Sequence, residues 1–125
     1  MIATEGIEIV SQFCQAWANG DTDALLDYFT DDAVYHNIPI EAVRGKEAIR
    51  ATITSFTQGV KAIEFRVEHI SGSGDVVLTE RVDVFTLEDK QVSLPVMGAF
   101  EIRDGRIAAW RDYFDLNQFM SQLAG

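Results

Sequence analysis

The sequence predicts one α+β domain over residues 1–125, in which helices pack on the concave face of a curved, mostly antiparallel sheet. Together they form a cone with a deep pocket. Two observations predict this fold: helical periodicity dominates the first half of the chain, and strand alternation dominates the second. A length of 125 residues suits a single domain, and no repeat, linker or low-complexity tract interrupts it.

The N-terminal half predicts three helices and one strand. Apolar residues recur every three or four positions from Ile7 to Trp17, which predicts an amphipathic helix that ends at Asn19-Gly20. Asp21 or Thr22 can cap a short second helix that includes Phe29. "AVYHNI" then has the pattern of a strand, and helical spacing returns in "KEAIRATITSF".

The C-terminal half predicts an antiparallel meander. Four segments alternate between apolar and polar residues: "KAIEFRVEHISG", "DVVLTERVDVFTL", "QVSLPVMGAFEI" and "RIAAWRDYFD". The intervening "SGSGD", "EDK" and "RDGR" are suitable hairpin turns, and a last short helix is expected from Leu116 to Leu123. Helices on one face of such a sheet leave a mouth that can hold a small apolar ligand.

Charge and cysteine content exclude several kinds of partner. The formal net charge is -10 and the basic residues are scattered, so nucleic acid and membrane surfaces are not expected partners. The single cysteine, Cys14, cannot form an internal disulfide and fits the apolar face of the first helix. No basic segment followed by an apolar one begins the chain, so a cytoplasmic protein is expected.

Three charged side chains fall on apolar strand faces. Alternation puts Arg81 and Asp83 on the same face of one strand, and Asp112 on the same face as its neighbours Trp110 and Phe114. The Arg81–Asp83 pair alone is also consistent with an ordinary surface salt bridge. Because one guanidinium can hold two carboxylates, however, Asp112 can meet Arg81 from the other side.

The strand "AVYHNI" adds two more polar side chains. Tyr35 and Asn37 share a face, whereas His36 points to the other one. If the strands lie together, a hydroxyl, an amide, an arginine and two aspartates converge. Two carboxyl groups can divide the acid and base roles when their surroundings separate their pKa values. A water held by Asp112, Tyr35 and Asn37 would then be activated by Asp112, while a protonated Asp83 donates to a leaving oxygen.

Five apolar residues are candidates for contact with a ligand, although each also fits an ordinary core. They are Trp110, Phe114, Leu94, Met97 and Phe85. A metal site is not expected, because no second ligand follows His69 at metal-binding spacing.

The motifs "YHN", "RVD" and "WRDYFD" resemble those of the limonene-1,2-epoxide hydrolase family. That family belongs to the cone-shaped domains that are similar to nuclear transport factor two and ketosteroid isomerase. The resemblance implies Arg81 bridging Asp83 and Asp112, and a water on Asp112, Tyr35 and Asn37. It also implies a homodimer without a cofactor that adds water in one step to a small, largely apolar, cyclic epoxide to give a vicinal diol.

Two other functions remain open from the sequence. Relatives of this shape include proton-transfer enzymes similar to ketosteroid isomerase or polyketide cyclases, which also use aspartate and tyrosine in the cone. The same fold can serve as a ligand-binding or dimerisation module without catalysis. The arginine between two aspartates favours hydrolysis, since a proton shuttle needs one base and an oxyanion donor rather than a held water.

Overall fold

A computed structural model describes residues 3–125, which form an α+β fold with one curved six-stranded sheet. Its helices are α1 (Ala3–Ala16), α2 (Thr22–Leu26), α3 (Lys46–Thr57) and α4 (Leu116–Ala124). Its strands are β1 (Phe29–Asn37), β2 (Val43–Arg44), β3 (Ala62–Ser73), β4 (Val76–Thr86), β5 (Gln91–Arg103) and β6 (Arg106–Tyr113). The predicted fold class is therefore confirmed.

The strands follow the order β2-β1-β6-β5-β4-β3. Strands β3 to β6 form the predicted antiparallel meander, and β1 joins its end by pairing parallel to β6. This parallel pairing places Tyr35 opposite Trp110 and Asn37 opposite Asp112. Two motifs that lie far apart in the chain thus become neighbours at one edge of the meander.

Phe29 corrects one expectation. It was predicted in the second helix, but α2 ends at Leu26 and Phe29 begins β1 in register with Ile107 of β6. An apolar residue three or four positions after two leucines fits either a helix or a strand. Burial against α1 decides between them, because Phe29 is fully buried and its ring lies 5.4 Å from that of Phe13.

The core lies between α1 and the sheet. Phe13 meets Trp110 of β6 edge to face, with their ring centroids 5.1 Å apart. Trp17 stacks on Phe65 of β3 at 4.6 Å. Cys14 is buried in the same layer, as predicted, and burial raises the pKa of its thiol to about 12. Helix α1 and the short 3-10 helix that follows it (Trp17–Asn19) therefore supply the aromatic wall behind the polar side chains of β4 and β6.

Helix α4 closes the other end of the cone. Strand β6 stops opposite Met97, so within residues 3–125 the segment of β5 before that residue has no strand partner on this side. The side-chain amide of Gln122 takes that place: it accepts from Ser93 N at 3.0 Å and donates to Ser93 O at 2.8 Å. None of the helices within residues 3–125 has the length and apolar character needed to cross a bilayer.

Candidate active site

Arg81 lies between two carboxylates in the interior of the cone. Its Nε and Nη2 donate to Oδ1 and Oδ2 of Asp83 at 3.0 and 2.8 Å. Its Nη1 and Nη2 donate to Oδ1 and Oδ2 of Asp112 at 3.1 and 2.8 Å. Arg81 is 1% exposed and each aspartate 4%, so this is a buried network and not a surface salt bridge.

An aromatic frame surrounds this ion cluster. The guanidinium carbon of Arg81 lies 4.6 Å from the ring centroid of Phe65, within the range of a cation–π contact. The indole Nε1 of Trp110 donates to Oδ1 of Asp112 at 2.7 Å. An acid between two large aromatic residues is thus compensated by Arg81 on one side and by an indole N–H on the other.

The two oxygens of Asp112 differ in their partners. Oδ1 accepts from both Arg81 and Trp110, whereas within residues 3–125 Oδ2 accepts from Arg81 alone. A carboxylate oxygen can accept more than one hydrogen bond. Oδ2 therefore retains the capacity to take a proton from a further ligand.

Burial sets the protonation of the cluster. It raises the pKa of Asp83 to about 6, because desolvation outweighs the opposing charge and hydrogen bonds of Arg81. Burial also disfavours the charged guanidinium, but Asp112 and Asp83 outweigh this and raise the pKa of Arg81 well above its ordinary value. The cluster thus contains a permanent cation and, in Asp83, an acid that can hold a proton not far below neutral pH.

Tyr35 and Asn37 come from β1 and lie beside the ion cluster. The ring of Tyr35 stacks on Trp110 with centroids 4.2 Å apart, which fixes its orientation. Burial, followed by the charge of Asp112, raises the pKa of the Tyr35 hydroxyl above its ordinary value. The hydroxyl therefore stays protonated and remains a hydrogen-bond donor.

A cavity of about 450 Å³ opens onto these groups. Tyr35, Asn37, Asp83 and Asp112 line it, whereas Arg81 lies behind the two carboxylates and does not. Most of the remaining wall is apolar, with Ile40, Phe56, Phe65, Phe85, Leu94, Val96, Phe114, Leu116 and Phe119. Four polar side chains thus converge on one side of an otherwise largely apolar space.

Both histidines lie apart from the cavity lining. Nε2 of His36 is 3.0 Å from the carbonyl oxygen of Ile40. Nδ1 of His69 is 2.8 Å from Oε1 of Glu80, and the side chains of His69 and Glu80 are each more than half exposed. Within residues 3–125, no cluster of three or more His, Cys, Asp or Glu is arranged to hold a metal ion.

Comparison with known proteins identifies the family. The sequence profile of the limonene-1,2-epoxide hydrolase catalytic domain matches residues 4–125. The chain belongs to the limonene-1,2-epoxide hydrolase family. This confirms the resemblance of its motifs and, with the relatives below, the predicted epoxide hydrolase activity.

Relatives in sequence and structure agree with this family. Epoxide hydrolase EphG of Mycobacterium tuberculosis is 38% identical over 93% of this chain and 78% of its own length. A solved structure of an LEH-like epoxide hydrolase of M. tuberculosis is 36% identical, with a TM-score of 0.84, and the match covers 98% of this chain and 92% of that one.

A protein with a ketosteroid isomerase-like fold from Catenulispora acidiphila is 21% identical, with a TM-score of 0.82. That match covers 92% of this chain and 91% of the other. At this identity the likeness shows the shared cone fold alone.

In this limonene-1,2-epoxide hydrolase family member, two of the residues expected to contact a ligand do not line the cavity. Met97 is 50% exposed on the opposite face of the sheet, and Val96 lines the cavity in its place. Leu94 and Met97 have opposite parity on one strand, so alternation alone separates them. Trp110 is fully buried behind Asp112 and does not line the cavity.

The remaining candidates, Phe85, Leu94 and Phe114, do line the cavity. Sequence analysis did not find the contribution of α3, which supplies Ala51, Thr52, Ser55 and Phe56 to the wall. The periodicity of α3 predicts that one face packs on the sheet, but it does not show that a neighbouring face borders a cavity.

Proposed function

We propose that this protein opens an epoxide by direct attack of an activated water, giving a vicinal diol without a covalent intermediate. The observation that carries the proposal is the pair of buried carboxylates, Asp83 and Asp112, which share Arg81 and both line the cavity. Two carboxyl groups in one site can take opposite roles when only one of them is protonated.

Asp112 is the general base in this proposal. Its Oδ2 has acceptor capacity left, and Tyr35 and Asn37 lie next to it on the parallel strand β1. A water bound to these three side chains would have its lone pair directed at an epoxide carbon while Oδ2 takes its proton.

Asp83 is the general acid. Its pKa of about 6 keeps a proton available for the epoxide oxygen as the carbon–oxygen bond breaks. Asp112 gains a proton in the same step as Asp83 loses one, so the net charge around Arg81 does not change. The two carboxyl groups then exchange a proton, directly or through solvent, before the next turnover.

Arg81 organises the two carboxylates and does not contact the substrate. Four of its five N–H donors go to Asp83 and Asp112, and the fifth goes to Thr79 Oγ1. It therefore has no donor left for a substrate oxygen, and its role is to hold the two carboxyl groups in place.

The cavity supports a small, largely apolar, cyclic epoxide as substrate. Its volume of about 450 Å³ lies at the smaller end of ligand pockets, and aromatic and aliphatic side chains form most of its wall. Apart from Tyr35, Asn37, Asp83 and Asp112, the polar side chains of its lining are Thr52 and Ser55 of α3.

An isotope experiment tests the proposed mechanism. Incubation with a panel of small cyclic and acyclic epoxides should give diols. A single turnover in oxygen-18 water, with enzyme in excess, should then place the label in the first diol formed. An unlabelled diol, with the label in Asp112 or Asp83, would show that a carboxylate attacked carbon directly.

We also propose that the protein is a homodimer formed through the face of the sheet opposite the helices. Val76, Leu78, Met97 and Tyr113 leave large apolar side chains 39–50% exposed on the strands of this open face. Several large apolar side chains exposed on one sheet face are typical of a protein interface. Light scattering should give twice the chain mass for the wild type and the single mass for Leu78→Glu.

A further inference from the structure

Thr79 completes the hydrogen bonding of Arg81. Its Oγ1 accepts from Nη1 of Arg81 at 3.2 Å, and Thr79 is itself 1% exposed. A buried guanidinium N–H without an acceptor would be costly. Thr79 lies two residues before Arg81 on β4, so alternation puts both side chains on the cavity side of the sheet.

Gly98 leaves the space that the guanidinium occupies. In the sheet it lies between Thr79 on β4 and Asp112 on β6. A β-carbon built there would lie 2.5 Å from Arg81 Nη1, 2.7 Å from Thr79 Oγ1 and 2.9 Å from Asp112 Oδ1. Real β-carbons essentially never approach other atoms below 3.0 Å, so one of these groups would have to move.

The backbone does not explain a glycine at this position. Gly98 has no positive φ, and it lies within a regular antiparallel ladder. Glycine in the interior of a strand weakens the strand and often marks a bulge, a bend or a place where another group approaches closely. Here the approaching group is the end of Arg81, which four further hydrogen bonds to carboxylates hold in place.

We propose that Thr79 and Gly98 are positioning residues for the reaction, forming a seat that lets Arg81 reach across β5 from Asp83 to Asp112. Gly98 supplies the space and Thr79 the fifth acceptor. The substrate contacts neither residue, since neither lines the cavity. The inference rests on the proposed roles of Asp83 and Asp112 as acid and base.

Kinetics of Gly98→Ala test the seat. Because a displacement of about 1 Å at a catalytic group can cost about 100-fold, we expect kcat to fall by about that factor. KM should stay within about threefold, since the apolar wall is unchanged. Moving Arg81 away from Asp83 removes a positive charge that lowers the pKa of that carboxyl group, so the limb of the pH profile that reports Asp83 should move to higher pH.

Thr79→Val and a double variant separate positioning from general destabilisation. Thr79→Val keeps the shape but removes the acceptor, and kcat should fall by about 10-fold. Removing the hydroxyl also makes room for Nη1 to move. The loss caused by Gly98→Ala should therefore be smaller in a Thr79→Ala background than alone, a coupling that independent structural defects would not produce.

Gly72→Ala provides the matched control, because Gly72 lies within β3 and outside the cavity lining. Its kcat should stay within about twofold of the wild type. If Gly98→Ala does not fold, Thr79→Val carries the test, and wild-type kcat and pH profile in that variant would overturn the proposal. A folded Gly98→Ala with wild-type kcat and pH profile would also overturn it.

A readout without turnover separates this inference from the proposed function. In NMR spectra of the nitrogen-15-labelled protein, the chemical shift of the Arg81 Nε–H group should change in Gly98→Ala and stay the same in Gly72→Ala. A wild-type protein that forms no diol from any epoxide would contradict the proposed function. An unshifted Arg81 signal in Gly98→Ala would contradict the seat itself.

Discussion

Two arginine–carboxylate pairs on neighbouring strands have the same spacing and very different surroundings. Arg66 donates from Nε to Glu64 at 2.9 Å on β3, and Arg81 donates from Nε to Asp83 at 3.0 Å on β4. The side chains of the first pair are 54% and 56% exposed, whereas those of the second are 0% and 5% exposed. Hydrogen-bond geometry alone therefore does not distinguish a surface pair from a buried one.

The two pairs differ in how far burial removes their charges from water. Around Arg66 and Glu64, water screens the attraction and solvates both ions, so such a pair contributes little to stability or reactivity. Around Arg81 and Asp83, burial opposes each charge, and Arg81 donates further hydrogen bonds to a threonine hydroxyl and to the carboxylate of Asp112. Asp112 in turn accepts from the indole N–H of Trp110. The cost of burial is offset by these partners, and the raised pKa of Asp83 is a consequence of the same burial.

Asp112→Asn should produce the largest effect on activity. Asparagine nearly preserves the shape of the side chain but cannot accept the proton of a water, so kcat should fall by at least about 100-fold. Diol formation measures the loss and circular dichroism checks the fold. Glu64→Gln makes the same chemical change in the exposed pair and should leave kcat unaltered. Residual activity in Asp112→Asn near the wild-type value would exclude Asp112 as the base.

Arg81→Met should lower the free energy of unfolding much more than the matched substitution Arg66→Met. It leaves two buried carboxyl groups without their cation, and breaking a buried pair in this way costs about 3–5 kcal/mol. Arg66→Met should change the free energy of unfolding by less than about 1 kcal/mol. Urea denaturation of both variants measures the difference. Equal losses would show that burial does not separate the two pairs.

Stability should depend on pH through Asp83. Its pKa rises from 3.8 to about 6 on folding, so between these values the folded state keeps a proton that the unfolded state releases. The contribution of this group to the free energy of unfolding therefore decreases as pH rises through that window and is constant above it. Asp83→Asn lacks this dependence.

The wild type should accordingly lose stability relative to Asp83→Asn between about pH 4 and pH 6. Denaturation curves at pH 4.5, 5.5 and 7 measure this difference, with Glu64→Gln at the same pH values as the control for replacing a carboxylate by an amide. A difference that stays constant across the three pH values would mean that burial does not shift the titration of Asp83.

Salt should have the smallest effect and should act on the exposed pair alone. Double-mutant cycles give the coupling energy of each pair, and that of Arg66–Glu64 should fall from at most about 1 kcal/mol toward zero in 1 M salt. The coupling of Arg81–Asp83 should change little, because these side chains are 0% and 5% exposed and ions in bulk solvent screen such a pair much less. A salt-sensitive coupling in the buried pair would indicate that solvent enters the cluster.

Local patterns were sufficient to predict β3 to β6, the part of β1 from Ala33 onwards and the polar side chains on these strands, whereas the short β2 was not predicted. Side chains alternate along any strand whatever its neighbours are, so the sequence alone puts Arg81 with Asp83, and Tyr35 with Asn37, on common faces. The same rule distinguishes Leu94 and Val96 from Met97. The resemblance of three motifs then implied that Arg81 bridges Asp83 and Asp112 next to Tyr35 and Asn37.

Local patterns did not decide how the strands meet or what lies between them. The parallel pairing of β1 with β6, the strand assignment of Phe29 and the burial of Trp110 behind Asp112 all depend on contacts distant in the chain.

Thr79 and Gly98 show most clearly what could not be predicted from the sequence alone. A threonine or a glycine in a strand does not by itself indicate a functional site. The proposed role of these two residues follows only from the position of Arg81, which reaches across β5 to Asp112. Alternation is a property of one chain segment, whereas burial, hydrogen-bond completion and excluded volume are properties of several segments packed together. The sequence alone therefore determined which side chains share a strand face, and the tertiary structure decided which of them become a single buried cluster.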